Sequence, residues 1–369
     1  MLTLEAKRMG FRVVTLEPLP DSPCGQVADV QLVAAYDDTR AVGELGARSD
    51  VVTYEFENIP LVAVTTLENQ HRIVRPNARV LRITQDRALE KSFIGDLGID
   101  AAAFAVVRES YELDTAFAEI GFPAVLKTTT GGYDGKGQWI VDSIDEAREA
   151  FAEARGRPMI VERFVRFERE ISVICARGND GQFAIFPVSE NVHDHGVLAM
   201  SIVPARIPEA LVERARQIAR KIGTGLGIVG AFCVEFFVEN GELLVNEIAP
   251  RVHNSGHYSL DATSISQYEA HVRAICDLPL VEPKLRSPAV MVNILGDGNG
   301  DRLDGVRELL TDPDVKLHLY GKVHAAVRRK MGHFTVVAPT VEEALHKAER
   351  GSHVLHWQPS NGAALLSVS

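Results

Sequence analysis

The sequence predicts an α/β fold, with α+β character in its central part, divided into two or three domains. Near the N-terminus, strand-like apolar runs alternate with helical stretches, as in βαβ units. In the middle of the chain, strand follows strand across glycine-containing turns, and after Pro283 a smaller mixed pattern begins. With 369 residues, each part is long enough to bury a core of its own.

The N-terminal elements begin with a helix-like segment at residues 2–9, followed by predicted strands at 11–16, 50–56 and 72–76. A βαβ unit normally begins with a strand, whereas this one begins with the helix. We therefore expect the first strand, and the turn that leads from it into the helix, to be missing from this chain.

The later elements follow from apolar periodicity and from glycine and proline stop signals. Helices are predicted at residues 85–97, from about Ser143, at 208–222 and at 341–349. Strands are predicted at residues 124–127, 138–141, 158–162, 170–174, 183–188, 232–238, 243–248 and 334–337.

Composition excludes several classes of protein. The formal net charge of −11 argues against a general nucleic-acid-binding or anionic-membrane surface, so any phosphate site must be local. The four cysteines are far apart, form no C-x-x-C pair and are expected to be reduced core thiols. No apolar stretch is long enough to span a bilayer, and no signal peptide is recognisable. We expect a soluble, cytoplasmic protein.

Two acids, Glu235 and Glu247, interrupt the apolar arms of a predicted β-hairpin. A two-residue turn at Asn240 and Gly241 would place Glu235 opposite Asn246 and turn Glu247 to the other face. A three-residue loop would shift the register and put both carboxylates diagonally on one face, where, about 7 Å apart, they repel by roughly 2 to 3 kcal/mol. Mg²⁺ shared with nucleotide phosphates would remove this repulsion; the alternative is two surface acids on an edge ribbon.

A glycine-rich turn at residues 131–137 joins two predicted strands. It is not a P-loop, since no Ser or Thr follows Lys136 and a strand comes next. Its amides and its lysine can close over phosphates, although many such hairpins are only turns. Lys127 favours the phosphate interpretation, because a buried lysine requires an anionic partner. The G-x-G-x-x-G string at 225–230 follows a helix and precedes a strand, the reverse of a dinucleotide fingerprint.

Two further acids lie at strand ends. Glu162 ends one strand and Glu170 opens the next, so backbone amides after Glu162 can bind an adenine edge while Glu170 accepts ribose hydroxyls. The alternative is a pair of charged strand ends. The segment 251–257 follows Glu247 and combines a cation, hydrogen-bond donors and glycine, which is typical of an anion-handling loop.

Histidines and a downstream basic cluster complete the set of candidates. The histidines provide no third soft ligand at suitable spacing, so a zinc site is not predicted from His193, His195, His253 and His257. Lys322 and residues 328–330 form a basic cluster in an acidic chain. We interpret this cluster as a clamp for a small-molecule phosphate rather than as a solvated patch.

Taken together, this constellation resembles the ATP-grasp superfamily in order and approximate spacing. It consists of Lys127, residues 131–137, Glu162, Glu170, Glu235, Asn246 and Glu247. More narrowly, five strings look like those of the 5-(carboxyamino)imidazole ribonucleotide synthases of purine biosynthesis. They are YEFEN at 54–58, GYDGKGQ at 132–138, FEREIS at 167–172, ENVH at 190–193 and NEIAPRVHNSGH at 246–257. The similarity covers nearly the whole chain.

The resemblance implies an ATP-grasp fold in three parts. They are a truncated N-terminal βαβ domain at 1–90, an ATP-grasp domain of two subdomains at 91–277, and a small mixed α/β domain at 278–369 that contributes to a ribonucleotide phosphate site. The implied enzyme is an ADP-forming ligase that uses ATP, Mg²⁺ and bicarbonate to carboxylate aminoimidazole ribonucleotide through carboxyphosphate. The implied assembly is a homodimer whose partners are small molecules, with no nucleic acid and no membrane.

The same resemblance implies roles for individual residues. The carboxylation centre would comprise Tyr133, Asp134, Arg251 and His253. Mg²⁺ would be held by Glu235 and Glu247. The ribonucleotide would contact Glu55, Asn254, Lys322 and Arg329. ATP would contact Arg87, Lys127, Gly132, Tyr133, Asp134, Gly135, Lys136, Gly137, Gln138, Glu162, Arg163, Phe164, Val165, Glu170, His193, Asn246 and Glu247.

The N-terminus departs from the family pattern. Family members start with a strand and a Gly-rich, Gln-containing turn that touches the ribonucleotide, whereas Met1 here falls within the following helix. A start placed too far downstream would explain this; a real truncation would put activity in doubt. Two alternatives therefore stand beside the synthase. One is a sister ATP-grasp enzyme, such as formate-dependent glycinamide ribonucleotide transformylase or biotin carboxylase, and the other is a catalytically silent nucleotide-binding module.

Overall fold

A long antiparallel sheet organises the computed structural model, which describes residues 1–132, 137–298 and 300–359. Within these residues the helices are α1 (Leu2–Arg8), α2 (Thr39–Ala47), α3 (Leu61–Asn69), α4 (Ala78–Thr84), α5 (Arg87–Asp96), α6 (Leu113–Ile120), α7 (Ile144–Glu153), α8 (Glu209–Leu226), α9 (Ser259–Ala262), α10 (Gln267–Ile275), α11 (Val306–Leu309) and α12 (Val341–Val354). Two short 3₁₀ helices are Ser110–Glu112 and Asn254–Gly256.

The strands of the same residues form four sheets. They are β1 (Val14–Leu16), β2 (Val30–Leu32), β3 (Phe104–Val107), β4 (Ala124–Thr128), β5 (Gln138–Val141), β6 (Met159–Arg163), β7 (Arg169–Arg177), β8 (Phe183–Ile185), β9 (Ser189–Asp194), β10 (Val197–Val203), β11 (Gly230–Glu239), β12 (Glu242–Ala249), β13 (Ala289–Leu295), β14 (Arg302–Asp304), β15 (Val315–Leu319), β16 (Lys330–Val337) and β17 (His356–Gln358). The largest sheet has the order β12-β11-β7-β9-β10-β13-β16-β15, with β8 paired to β7.

The N-terminal part contains less regular strand than the sequence predicts. β1 and the unpredicted β2 pair in parallel, joined by turns rather than by a helix. The predicted strands at 50–56 and 72–76 are wrong: each is reduced to one residue of a parallel bridge between Val52 and Val74. Pro76 follows directly and has no N–H to continue the ladder, which explains why the pairing stops.

A four-stranded antiparallel sheet, in the order β3-β6-β4-β5, forms a separate layer with α6 and α7. Its core joins Leu126 and Val161 of the strands to Phe117 and Phe151 of the helices. α7 begins where the sequence predicts, because the Ser143 side chain caps it by accepting a hydrogen bond from the Glu146 amide.

The central strands of the large sheet have one apolar and one largely polar face. Phe232, Val234, Phe236 and Val238 of β11 alternate with residues of the opposite face and pack, with α8, in the largest core cluster. β9 and β10, which the sequence analysis did not predict, continue the polar face with buried hydroxyl and amide side chains. The polar side chains of β9 disguise that strand, because a strand is recognised from apolar alternation. β10 is a mostly apolar run, VLAMSIV, that the sequence analysis left unassigned.

The C-terminal strands extend this sheet rather than form an isolated unit. β13 pairs with β10, and β16 and β15 follow, with α12 packed on one face around Phe334. Cys175 and Cys233 are buried, and all four cysteines are free, as predicted. In the part of the chain that the structure describes, no helix combines the length and apolar character needed to cross a membrane.

Candidate active site

A β-bulge places Glu235 directly opposite Glu247 in the β11–β12 hairpin. The turn has two residues, Asn240 and Gly241, both with positive φ (51° and 76°), so the shorter of the two turns considered is the one present. The register instead shifts next to Glu235, where Asn246 is the extra residue. Both carboxylates therefore share one face, as cross-strand neighbours rather than diagonal ones.

The ionised form of Glu235 is disfavoured next to Glu247. Burial, followed by the neighbouring Glu247, raises the pKa of Glu235 to about 8. Two carboxylates facing each other across neighbouring strands offer the all-oxygen donor set that Mg²⁺ prefers. A divalent cation would remove the repulsion that raises this pKa, so the residues present fit the metal.

Cys233 and His253 lie beside Glu235. Each of these three residues offers a potential ligand atom, and the three atoms lie within 4.8 Å of one another. Their spacing in the sequence did not predict this cluster. Burial raises the pKa of the Cys233 thiol well above its usual value and lowers that of His253 well below. A protonated thiol is a poor zinc ligand, so the carboxylate pair remains the better-fitting metal site.

A buried ion-pair chain faces the acids from the smaller sheet. Lys127 on β4 donates to Glu162 on β6 at 2.7 Å, and Lys91 on α5 lies 3.7 Å from the other carboxylate oxygen of Glu162. Burial would raise the pKa of Glu162, but Lys127 and Lys91 outweigh it and hold the value at about 2. Lys127 therefore has the anionic partner that its apolar strand requires.

The α5 residues that complete this chain were missed by the sequence analysis. Glu90 accepts a hydrogen bond from the Ile248 amide at 2.7 Å, and Lys91 donates to the Val245 carbonyl at 3.3 Å. The two backbone groups lie on either side of the bulge in β12. The sequence spacing could have predicted their burial. Glu90 and Lys91 precede the apolar Ile94 by four and three residues, which places them on the apolar face of the helix.

The ends of the glycine-rich turn are held in place. Arg87, at the start of α5, donates to the carbonyls of Thr128 and Gly132 at 3.0 and 3.1 Å. Across the turn, the Thr128 amide donates to Gly137, and Gln138 pairs with Lys127. Four predicted site residues of this turn lie outside the described part of the chain: Tyr133, Asp134, Gly135 and Lys136.

The segment after Glu162 connects the two sheets. Arg163 binds Glu239 at the β11–β12 turn through two guanidinium nitrogens, at 3.1 and 2.7 Å. The Arg163 amide donates to Ala103 and the Phe164 amide to Pro123, so these two N–H groups are occupied within the protein. Val165 is buried. An adenine edge at this segment would therefore have to use other backbone groups.

Glu170 and His193 meet on the polar face of the large sheet. The Nδ1 atom of His193 donates to Glu170 at 2.5 Å, between neighbouring strands β7 and β9. Burial alone would lower the pKa of His193, but the hydrogen bond to Glu170 and its charge raise it. The cross-strand registers of β7, β9 and β11 place Glu170, His193 and Glu235 on one face.

A large cleft of about 2600 Å³ opens between the N-terminal part and the C-terminal strands. All four predicted ribonucleotide-binding residues line it, together with Arg251: they are Glu55, Asn254, Lys322 and Arg329. The structure thus brings together residues that are as much as 274 positions apart in the sequence, from Glu55 to Arg329.

Two hydrogen-bonded pairs fix the cleft wall, and each joins a predicted site residue to one, Glu57 or Asn293, to which the sequence analysis assigned no role. Glu57 binds the Arg251 guanidinium through both carboxylate oxygens, one of them at 2.7 Å. Asn254 and Asn293 exchange reciprocal amide hydrogen bonds of 2.9 and 2.7 Å. Glu57 belongs to the YEFEN string at 54–58, but the sequence does not indicate its partner. Arg251 lies 194 residues away and is brought to Glu57 only by the fold.

The basic cluster closes the other side of the cleft. Lys322 donates to the Lys330 carbonyl at 2.7 Å, and Arg329 donates to the His324 carbonyl at 3.0 Å. These contacts hold the Lys322 and Arg329 side chains against the backbone of their own loop. Val323 and Val327 of the same loop are exposed. A phosphate in the cleft would find cations presented by this loop.

Comparisons with known protein families match almost the full length of the chain. Residues 1–85 match the ribonucleotide synthetase preATP-grasp domain, residues 92–268 the ATP-grasp domain, and residues 289–347 the phosphoribosylaminoimidazole carboxylase C-terminal domain.

Curated relatives share substantial sequence identity. The chain is 42% identical over 348 residues to the N5-carboxyaminoimidazole ribonucleotide synthase of Bacillus subtilis, covering 93% of this chain and 90% of the relative. It is 45% identical over 342 residues to the enzyme of the same name from Brucella melitensis, covering 92% and 93%.

Solved structures show the same arrangement. An N5-carboxyaminoimidazole ribonucleotide synthetase in complex with ADP superimposes with a TM-score of 0.89 at 44% identity, covering 96% of this chain and 93% of that one. The Aspergillus clavatus N5-carboxyaminoimidazole synthase, in complex with ADP and 5-aminoimidazole ribonucleotide, has a TM-score of 0.89 at 31% identity, covering 96% and 94%.

Proposed function

The chain belongs to the N5-carboxyaminoimidazole ribonucleotide synthase family, and from this premise we propose how its residues carry out the reaction. It is an ADP-forming, ATP-dependent ligase of purine biosynthesis that carboxylates 5-aminoimidazole ribonucleotide to N5-carboxyaminoimidazole ribonucleotide. The observation that carries the residue-level proposal is the pairing of Glu235 with Glu247, together with the ion pair between Lys127 and the buried Glu162.

ATP lies between the four-stranded and the nine-stranded sheet in this proposal. Arg87, Lys127 and Lys136 lie near its phosphates, residues 162–165 border the adenine, and Glu170 with His193 lies at the ribose. Glu235 and Glu247 would hold Mg²⁺, which supplies positive charge to the triphosphate when bound. The remaining proposed ATP contacts are Gly132, Tyr133, Asp134, Gly135, Gly137, Gln138 and Asn246.

The chemical steps require positioning and charge neutralisation more than covalent help. Bicarbonate attacks the γ-phosphate, which gives carboxyphosphate and ADP. The carboxyl group then passes to the amine of the ribonucleotide, with release of inorganic phosphate and of the amine proton. Arg251, held by Glu57 and situated between the metal-site acids and the cleft, stabilises the negative charge of the bicarbonate-derived group. His253 is placed beside Arg251 in this centre, where burial lowers its pKa well below the usual value and keeps its ring neutral. Tyr133 and Asp134 complete the proposed carboxylation centre.

The ribonucleotide occupies the cleft beside Arg251. Glu55 and Asn254 contact its ribose and base, with Asn254 oriented by Asn293. Lys322 and Arg329 bind its phosphate, since they are the cations of the loop on the opposite wall. The three domains proposed at residues 1–90, 91–277 and 278–369 would each contribute residues to the catalytic pocket.

An omission assay tests this function. ADP release is measured with Mg-ATP, bicarbonate and 5-aminoimidazole ribonucleotide together, and then with each omitted in turn. We expect full turnover only in the complete mixture. ADP release that responds instead to formate plus glycinamide ribonucleotide would replace the proposed substrate. Binding of Mg-ATP with no turnover in either mixture would indicate a silent nucleotide-binding module.

We also propose that the enzyme is a homodimer, as the family resemblance implies. Sedimentation equilibrium over a range of protein concentrations tests this directly. A single species at twice the chain mass of 40.4 kDa supports the dimer, and a monomer at all concentrations contradicts it.

A further inference from the structure

A second cluster of potential metal ligands lies apart from the nucleotide-facing acids. It comprises Asp261 of α9, His318 of β15 and His333 of β16, each offering a ligand atom within 4.8 Å of the other two. His318 and His333 are direct cross-strand partners with stacked rings, 4.6 Å between centroids. Asp261 reaches them from the segment that carries the cleft residue Asn254. The cluster therefore joins the ATP-grasp domain match to the C-terminal domain match.

One atom of the cluster is unsatisfied. His333 is fully buried, and its Nε2 makes no hydrogen bond with any described residue. Its other nitrogen, Nδ1, shares a 2.9 Å hydrogen bond with the Tyr320 hydroxyl, which fixes the ring orientation. An orphaned buried nitrogen is unfavourable unless something binds it. A metal-bound histidine usually has this arrangement, with one nitrogen on the ion and the other on a hydrogen-bonding partner.

The other two ligands are already close to a coordinating geometry. Asp261 Oδ2 and His318 Nε2 lie 2.9 Å apart. Metal–ligand bonds of about 2.0 to 2.2 Å place neighbouring ligand atoms roughly 3 to 3.4 Å apart. The ligand atoms of the cluster, which lie within 4.8 Å of one another, would therefore have to approach each other by less than roughly 2 Å to enclose an ion. The His318 side chain is 28% exposed, which gives the ion a route from solvent.

The ligand types select the kind of ion. Two imidazoles and one carboxylate suit first-row transition metals such as Zn²⁺, whereas Mg²⁺ prefers oxygen alone. Burial and the neighbouring His318 lower the pKa of His333 well below its usual value, so its ring is in the neutral form that binds metals. The Glu235–Glu247 pair, by contrast, offers only oxygen ligands, which suit Mg²⁺.

We propose that Asp261, His318 and His333 form a site for a divalent first-row transition metal that ties the C-terminal strands to the segment bearing Asn254. Bound metal replaces the direct hydrogen bond between Asp261 and His318 and adds His333 to the link between the two segments. It therefore stabilises the wall of the ribonucleotide cleft without taking part in phosphoryl transfer. The site is independent of the proposed roles of the nucleotide-binding residues.

Calorimetric titration of the full-length chain with Zn²⁺, in excess Mg²⁺ to occupy the oxygen-only acids, tests the proposal. We expect one Zn²⁺ per chain and a rise in melting temperature that follows the Zn²⁺ concentration. Asp261→Asn and His318→Asn should each weaken Zn²⁺ binding by about 100-fold or more. Both positions are partly exposed, so these variants should fold; circular dichroism of the metal-free proteins checks this.

His195→Asn is the matched control. His195 contacts Asp194 at 2.7 Å, much as His318 contacts Asp261, but this pair is exposed and belongs to neither three-residue cluster in the described structure. Its loss should leave Zn²⁺ affinity unchanged. Binding that survives in His318→Asn but disappears in His253→Asn would assign the ion to the Cys233 cluster and overturn the proposal. The absence of stoichiometric Zn²⁺ binding in the wild type would also overturn it.

Discussion

Glu247 stands directly across the sheet from Glu235 because Asn246 bulges out of β12. Without the bulge, the two-residue turn would pair Glu235 with Asn246 and send Glu247 to the apolar face. Glu90 and Lys91 of α5 bond the backbone on either side of the bulge and so stabilise it. The convergence of the acids is therefore a product of helix packing as well as of the hairpin.

Glu247→Gln should abolish ADP formation while leaving folding nearly intact. The substitution removes the negative charge needed at the proposed metal site and changes little volume. The measurement is ADP release in the complete mixture, beside the urea unfolding midpoint. Glu242→Gln, on the same strand but exposed at the turn, is the matched control and should retain wild-type turnover. Wild-type turnover in Glu247→Gln would remove this residue from the metal site.

Glu162→Gln should destabilise the protein by about 3 to 5 kcal/mol at neutral pH, because it leaves the buried Lys91 and the partly buried Lys127 without their carboxylate. The pKa of Glu162 is lowered to about 2 in the folded state, below the ordinary value of 4.5. Its stabilisation is therefore present above about pH 4.5 and is lost as pH falls towards 2.

Urea unfolding of wild type and Glu162→Gln at a series of pH values checks both statements. The difference in unfolding free energy should be largest near pH 7 and should shrink below about pH 4.5. Asp114→Asn removes an exposed ion pair with Arg148 in the same layer and should have little effect. A difference that stays constant down to pH 3 would argue against the ionised Glu162 as the source of stability.

Much of the architecture could be predicted from the sequence. The β4–β5 and β11–β12 hairpins, α7 and α8 follow from apolar periodicity and capping residues, which act locally. β9 could not be predicted, because its buried residues are polar, with Ser189 and Asn191 satisfying each other and their neighbours. A local pattern cannot distinguish such a strand from a loop.

Some residues of the candidate site could likewise be predicted from the sequence, and others could not. Glu235, Glu247 and Lys127 could be selected because a charged residue in an apolar strand requires a partner. The bulge could not be foreseen, since it depends on contacts that α5 makes from more than 150 residues away. Glu57 was likewise assigned no role, because only the fold brings it to Arg251.

Glu57→Gln should lower kcat by about 10- to 100-fold, because Arg251 loses the charged partner that orients its guanidinium. The KM for ATP should change little, since this pair lies on the cleft side of the site. Steady-state kinetics with each substrate varied in turn separates the two parameters. Glu44→Gln, which breaks the exposed ion pair with Arg48, serves as the control and should leave kcat unchanged. An unaltered kcat in Glu57→Gln would show that Arg251 needs no such orientation.

Lys322→Ala should raise the KM for the ribonucleotide by about 10- to 100-fold, the range expected for loss of one charge-assisted contact to a phosphate. The loop should persist, because the Gly296 and Arg328 backbone groups also hold it. The KM for ATP should stay near its wild-type value, since Lys322 lines the cleft and not the space between the sheets. Lys316→Ala, an exposed lysine on β15, controls for the loss of one positive charge from the same domain. If Lys322→Ala weakened ATP binding alone, the phosphate of the ribonucleotide would have to lie elsewhere in the cleft.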